Sequence, residues 1–167
     1  MTTVLGPSRI RKTGKALVTI MKVLCGVHLF NEHIAEIRPC TGASMYPTLP
    51  HVGTFVLHSS LSLRMNPLER GNLVTAVSPL DPSHQVLKRV IGLPGDTVCV
   101  DPSGERGRVE EWCKVPQGHV WLAGDNTSNS TDSRDYGPVP IALVRGRVLA
   151  KIWPNPGLLR NEFHRVS

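Results

Sequence analysis

The sequence is short of several things that would point to common chemistries. Its four cysteines, Cys25, Cys40, Cys99 and Cys113, include no C-x-x-C pair. No Cys/His set has zinc-finger spacing either, so a disulfide scaffold and a structural zinc module are both excluded. Seven histidines are present without an H-E-x-x-H arrangement, and no metal or cofactor is expected. Gly92-Leu93-Pro94-Gly95-Asp96 lacks the lysine and the length of a phosphate-binding loop. Internal repeats and low-complexity blocks are absent.

Acidic residues are missing before Glu32, where Arg9, Arg11, Lys12, Lys15 and Lys22 stand alone. That segment carries much of the net charge of +6. Beyond it acids and bases mix, and no basic stripe with interleaved aromatics appears, so no nucleic-acid partner is expected. A run of ~20 apolar residues, the usual bilayer span, is also missing. The most apolar stretch, Ala16 to Phe30, is shorter and contains Lys22.

Within that stretch Leu17, Ile20, Met21, Leu24 and Val27 share one helical face. Several readings stay open. The segment is a membrane anchor whose Lys22 snorkels, an interfacial helix, a cleavable presequence, or a helix packed on the core. The anchor is favoured. It gives a division into a basic segment with a hydrophobic helix (1–36, helix at 16–30), a folded domain (37–155) and a short tail (156–167).

The 167 residues suffice for one domain with a real core. Fourteen prolines and fifteen glycines are scattered along the chain, which suits short strands joined by turns. Runs at 53–58, 72–77, 86–91, 97–100, 119–123 and 145–152 have the composition of strands, and Gly/Pro turns separate them. The expected fold is mainly β with one N-terminal helix. Cys99 and Cys113 bracket one expected hairpin, leaving a disulfide between them open.

Three segments carry chemistry. In Gly42-Ala43-Ser44-Met45-Tyr46-Pro47-Thr48-Leu49, a serine lies between a flexible glycine and a Tyr-Pro turn. This is not the G-x-S-x-G elbow, because Tyr46 replaces the second glycine. In Val86 to Asp96, Lys88 falls on a strand among apolar neighbours, with Leu87 and Arg89 on the other face. An ordinary lysine or arginine there is a solvated charge. A desolvated lysine instead loses charge and can accept a proton from a serine hydroxyl. Gly118 to Pro140 is a strand running into a loop rich in hydroxyls, amides and charges.

Each segment alone is unspecific; in this order they resemble the boxes of the type I signal peptidases, the Ser-Lys peptidases. The likeness covers residues 37 to 153, through S-M-x-P-T-L, K-R-x-I-G-x-P-G-D and G-D-N-x-x-x-S-x-D-S-R-x-Y-G-x-V-P. It implies a compact β catalytic domain of signal-peptidase type, with Ser44 as nucleophile and Lys88 as general base. Ser130 is then the hydroxyl that orients the amine, and Asp132 and Arg134 a supporting pair. The backbone N–H of Ser44 is one oxyanion donor; the side-chain donor some members carry two residues earlier is here Gly42. The substrate is expected to lie extended beside the strand before Ser44 and the strand of Lys88. Cys40, Thr41, Met45 and Leu87 are candidate pocket residues.

Lysine at position 88, where endoplasmic-reticulum members have histidine, implies the bacterial and organellar branch. The sequons at Asn126 and Asn129 also disfavour a secretory lumen. The small domain and single hydrophobic segment resemble the mitochondrial inner-membrane members, with Arg134 favouring the first of their two subunits. This implies an enzyme of the inner membrane facing the intermembrane space. Its partners are the bilayer, a related second catalytic subunit, and precursors with cleavable sorting signals. A bacterial or plastid signal peptidase I is the nearest alternative. A self-cleaving Ser-Lys repressor would need a DNA-binding domain that residues 1–36 cannot supply. A non-catalytic partner subunit should have lost Ser44, Lys88 or Ser130. A Ser-His-Asp triad through His84 would leave it ~13 Å from Lys88 along the strand, so His84 is expected at the surface.

Overall fold

The computed structural model describes residues 7–104, 107 and 111–159, with side chains in the first helix from residue 14. The remainder of the expected basic segment and tail (1–6 and 160–167), with the side chains of Arg9, Arg11 and Lys12, lies outside the described residues.

Helix α1 (Pro7–His33) runs 27 residues, further in both directions than the expected 16–30. Pro7 suits a first helical turn because its missing N–H would be unpaired there anyway. Leu17, Ile20, Met21, Leu24 and Val27 are all more than half exposed, which overturns the reading of α1 as a helix packed on the core. No helix among the described residues is long and apolar enough to cross a membrane.

The strands follow: β1 (Glu36–Cys40), β2 (Thr54–Ser59), then helix α2 (Ser60–Met65), β3 (Leu73–Val77) and β4 (Gln85–Gly92). Next come β5 (Thr97–Cys99), β6 (Trp112–Lys114), β7 (His119–Ala123), α3 (Ser133–Tyr136), β8 (Val139–Pro140), β9 (Val144–Trp153) and β10 (Gly157–Leu158). β5 and β6 form a separate ribbon. The main antiparallel sheet has the order β1-β2-β9-β3-β4-β7-β8, with β10 on β9. β2, β9 and β3 separate β1 from β4 in that order, yet Arg38 of β1 hydrogen-bonds Gln85 of β4. The sheet therefore curls until β1 and β4 face each other.

Alternation fixes the faces. In β4 Lys88, Val90 and Gly92 point inward while Leu87, Arg89 and Ile91 are only partly covered. Val74, Ala76, Val90, Val120, Leu122, Val139 and Val144 form one core cluster. Met45, Leu49, Val56, Leu73 and Val148 form a second beneath the Ser44 turn. Each fully buried aliphatic side chain contributes about 1.5–3 kcal/mol, so the Ser44 turn is seated by its own Met45 and Leu49.

The six expected strands are present, their ends within one residue of those expected. Gly157 and Leu158, expected in the tail, pair with Lys151 and Ala150. Cys99 pairs with Trp112, and Cys113 with Val98. Residues paired across a ladder share a face and neighbours alternate, so the two thiols point to opposite sides. None of the four cysteines is in a disulfide.

Candidate active site

The Ser44 turn begins at Gly42, whose φ of +110° is a conformation L side chains rarely adopt. Its N–H donates to His51 O at 2.9 Å, and Leu49 N–H donates to Met45 O at 2.9 Å, closing a helical turn after the serine. The third segment grips this turn. Asn126 donates its backbone N–H to Ser44 O and its side-chain amide to Ala43 O, both at 3.0 Å. Thr48 donates to Asp125 at 2.5 Å.

Asp125 also receives a fork from Arg89, Nε to Oδ1 at 2.7 Å and Nη2 to Oδ2 at 2.6 Å, while Arg89 Nη1 reaches Gly71 O at 2.9 Å. Arg89 is thus no solvated charge: its side chain is 11% exposed. Asp125 ties the serine turn to the strand of Lys88, with the geometric specificity of a bidentate arginine pair.

Lys88 is only 3% exposed. Burial pushes its amine below the ordinary lysine range; the Asp132 carboxylate pulls it back up and the Arg134 guanidinium offsets that pull. Lys88 Nζ donates to Ser130 Oγ at 3.0 Å, and Ser130 Oγ donates to Asp132 Oδ2 at 2.6 Å. With its one proton given to Asp132, the Ser130 hydroxyl can only accept from the amine. A neutral amine bonded this way keeps its lone pair for another donor.

Asp132 is fully buried. Burial alone would raise its pKa, but hydrogen bonds from Arg134, the Gly124 N–H and Ser130 outweigh this and hold it at about 2. Arg134 forks onto it through Nε and Nη2, both at 2.8 Å. Asp132 also caps α3, and Asp135 returns a bond to the Asp132 N–H at 2.9 Å. Gly124 fits between the two halves: a Cβ there would lie 2.3 Å from Ser130 Oγ and 2.5 Å from Ser44 O.

Ser44 and Lys88 line one cavity of about 250 Å³, and Cys40, Thr41, Met45 and Leu87 line it with them. Burial pushes the Cys40 thiol up despite Arg38 nearby, so it is a poor nucleophile. His84 stands at the surface with its side chain 75% exposed, paired to Asp81. β1 is an edge strand, and β4 pairs with β7 only from Arg89 onward. Residues 85–88 therefore present a free edge toward the free edge of β1, leaving an opening shaped for an added strand.

The sequence reading gave no roles to Thr48, Arg89, Gly124, Asp125 and Asn126. The signal lay in the motifs themselves, since Arg89 follows the lysine and the Gly-Asp-Asn run opens the third segment.

The cleft lined by Ser44 and the buried Lys88 falls within the stretch of chain that a family model matches. Signal peptidase, peptidase S26, matches residues 10–109 and 103–153, and the chain belongs to that family. It is a protease of the signal-peptidase type, acting on the sorting peptides of precursor proteins. More narrowly, it is similar to mitochondrial inner membrane protease subunit 1. The Schizosaccharomyces pombe protein of that name is 39% identical over 151 residues, covering 90% of this chain and 94% of the relative. The Xenopus tropicalis protein is 45% identical over 130 residues, covering 78% and 76%. A subunit 2 from Danio rerio is 36% identical over 127 residues, covering 74% and 67%.

Proposed function

We propose that the chain is a Ser-Lys endopeptidase that removes sorting signals from proteins delivered to the mitochondrial intermembrane space. The observation that carries this reading is Lys88, buried, hydrogen-bonded to Ser130, and lining one cavity with Ser44. Neutral Lys88 takes the proton from Ser44 Oγ as that oxygen attacks the scissile carbonyl carbon. The Ser44 N–H holds the resulting oxyanion. The lysine ammonium then protonates the leaving amine as the C–N bond breaks, giving a seryl ester. Lys88 next takes a proton from the water that attacks the ester carbonyl and returns it to Ser44 Oγ as the ester C–O bond breaks, releasing the acid product and restoring both groups. Ser130 holds the amine in register, and Arg134 neutralises the carboxylate that would otherwise keep it charged.

Residues 37–155 are the catalytic domain in this reading. Helix α1, with its exposed apolar side chains and its lysines, attaches it to the inner membrane with the cleft in the intermembrane space. A related second catalytic subunit is its partner. Cys40, Thr41, Met45 and Leu87 contact the residues next to the cut. The presence together of Ser44, Lys88 and Ser130 favours an active enzyme over a non-catalytic partner subunit.

Ser44→Ala and Lys88→Ala should each abolish cleavage of a precursor peptide while the fold persists. Lys88→Arg should fail as well, because guanidinium stays charged and cannot accept the proton. Near-normal turnover by purified Lys88→Arg enzyme would sink the dyad. Carbonate extraction and protease protection of mitochondria carrying the tagged chain test membrane attachment and orientation.

A further inference from the structure

Arg38 lines the cleft and bonds Gln85, three residues along β4 from Lys88. Its Nε bonds Glu36 and its Nη1 bonds the side-chain oxygen of Gln85, a contact that crosses from the free edge of β1 to that of β4. The arginine side chain is 35% exposed, so it is within reach of a ligand. Its Nη2 has no hydrogen-bond partner among the described residues. Glu36 occupies only the Nε side. The opposite end, Nη1 with Nη2, is the face that binds a carboxylate through two parallel bonds. At present that face holds one neutral amide oxygen, a weaker partner than a carboxylate.

We propose that Arg38 is a specificity-determining residue: it binds an acidic side chain of the precursor, four to five residues upstream of the cut, by displacing Gln85. This rests on the proposed peptidase reading, in which the upstream part of the precursor fills the cavity as an added strand. The position follows from strand geometry. Arg38 precedes Ser44 by six positions, so an extended peptide beside β1, at about 3.3 Å per residue, passes it at most six residues upstream of the cut. The turn opening at Gly42 shortens this to about four or five. A carboxylate gains a fork with a guanidinium that already points into the cleft, whereas a lysine there meets like charge.

The test uses one precursor peptide with Asp, Ala or Lys substituted singly at the fourth and fifth residues before the cut. It is cleaved by wild type, Arg38→Gln, Arg38→Lys and Gln85→Ala, with Ser44→Ala as control. Wild type should prefer Asp over Lys by about tenfold in kcat/KM at one of the two positions, mostly through KM. Arg38→Gln should bring that ratio close to one. Arg38→Lys should keep part of it, since charge remains but the fork does not. Gln85→Ala should keep or increase it, because the competing amide is gone. An unchanged ratio in Arg38→Gln overturns the proposal, as does a Gln85→Ala variant that loses the preference just as fully. Continued cleavage by Ser44→Ala would instead defeat the peptidase reading. An inert Ser44→Ala control with a ratio indifferent to residue 38 would defeat the Arg38 inference alone.

Discussion

Gly124→Ala is the sharpest probe of how the centre is held. The added methyl carbon would lie 2.3 Å from Ser130 Oγ and 2.5 Å from Ser44 O, with Ser130 Cβ at 2.7 Å. Ordinary contact between such atoms needs about 3.5 Å, so the two groups must retreat by about 1 Å. Ser44 O is backbone and is bonded to the Asn126 N–H, so it moves only with the whole nucleophile turn. Ser130 is bonded to both Lys88 and Asp132, so its retreat drags the base or breaks a bond. Misplacing reacting groups by 1 Å costs about 10²-fold in rate, while overpacking a tight site costs about 1–3 kcal/mol of stability. Gly124→Ala should therefore remain folded with a lowered melting temperature, yet lose about a hundredfold in kcat/KM on a fluorogenic precursor peptide. Turnover within threefold of wild type would refute the idea that Gly124 spaces the serine turn from the lysine's partner.

Other expectations concern charge. The rate should rise with pH through one ionisation lying below the free lysine range, since only the deprotonated Lys88 can act; a profile that follows histidine and disappears in His84→Ala would contradict it. Lys88→Met should be inactive but more stable. The folded pKa of Lys88 lies below its unfolded value, so burial penalises folding at neutral pH and the penalty fades as pH rises toward the free lysine value. The variant's advantage in melting temperature should accordingly be larger at pH 6 than at pH 10, and no advantage at either pH would count against the buried-amine account. Asp132→Ala leaves Arg134 buried without its fork and should cost about 3–5 kcal/mol; denaturant unfolding that shows less than 1 kcal/mol would mean the pair does not support the loop.

Much of the fold was readable because its long strands obey period two. β4 alternates from Leu87 to Gly92, and β9 runs ten residues with mostly alternating burial. β6, β8 and β10 are only two or three residues long, too short for any alternation to show, and they exist because neighbouring strands supply their partners. Lys88 could be placed on an inward face from its neighbours alone. Arg89 could not, because nothing in its local sequence announces a carboxylate 36 positions later at Asp125. The opposite facing of Cys99 and Cys113 follows from the register of the ribbon, which the spacing of the cysteines leaves undetermined. For α1 the period-3.6 pattern gave a helix correctly, but helical pattern alone does not say what surrounds it.

Asp132 has three tasks at once: it starts α3, it anchors Arg134, and it fixes the proton of Ser130. Protonating that single carboxyl, which happens only near pH 2, would undo all three together. Acid therefore acts in two stages: it first silences the amine of Lys88, and only far lower loosens the loop that holds Ser130.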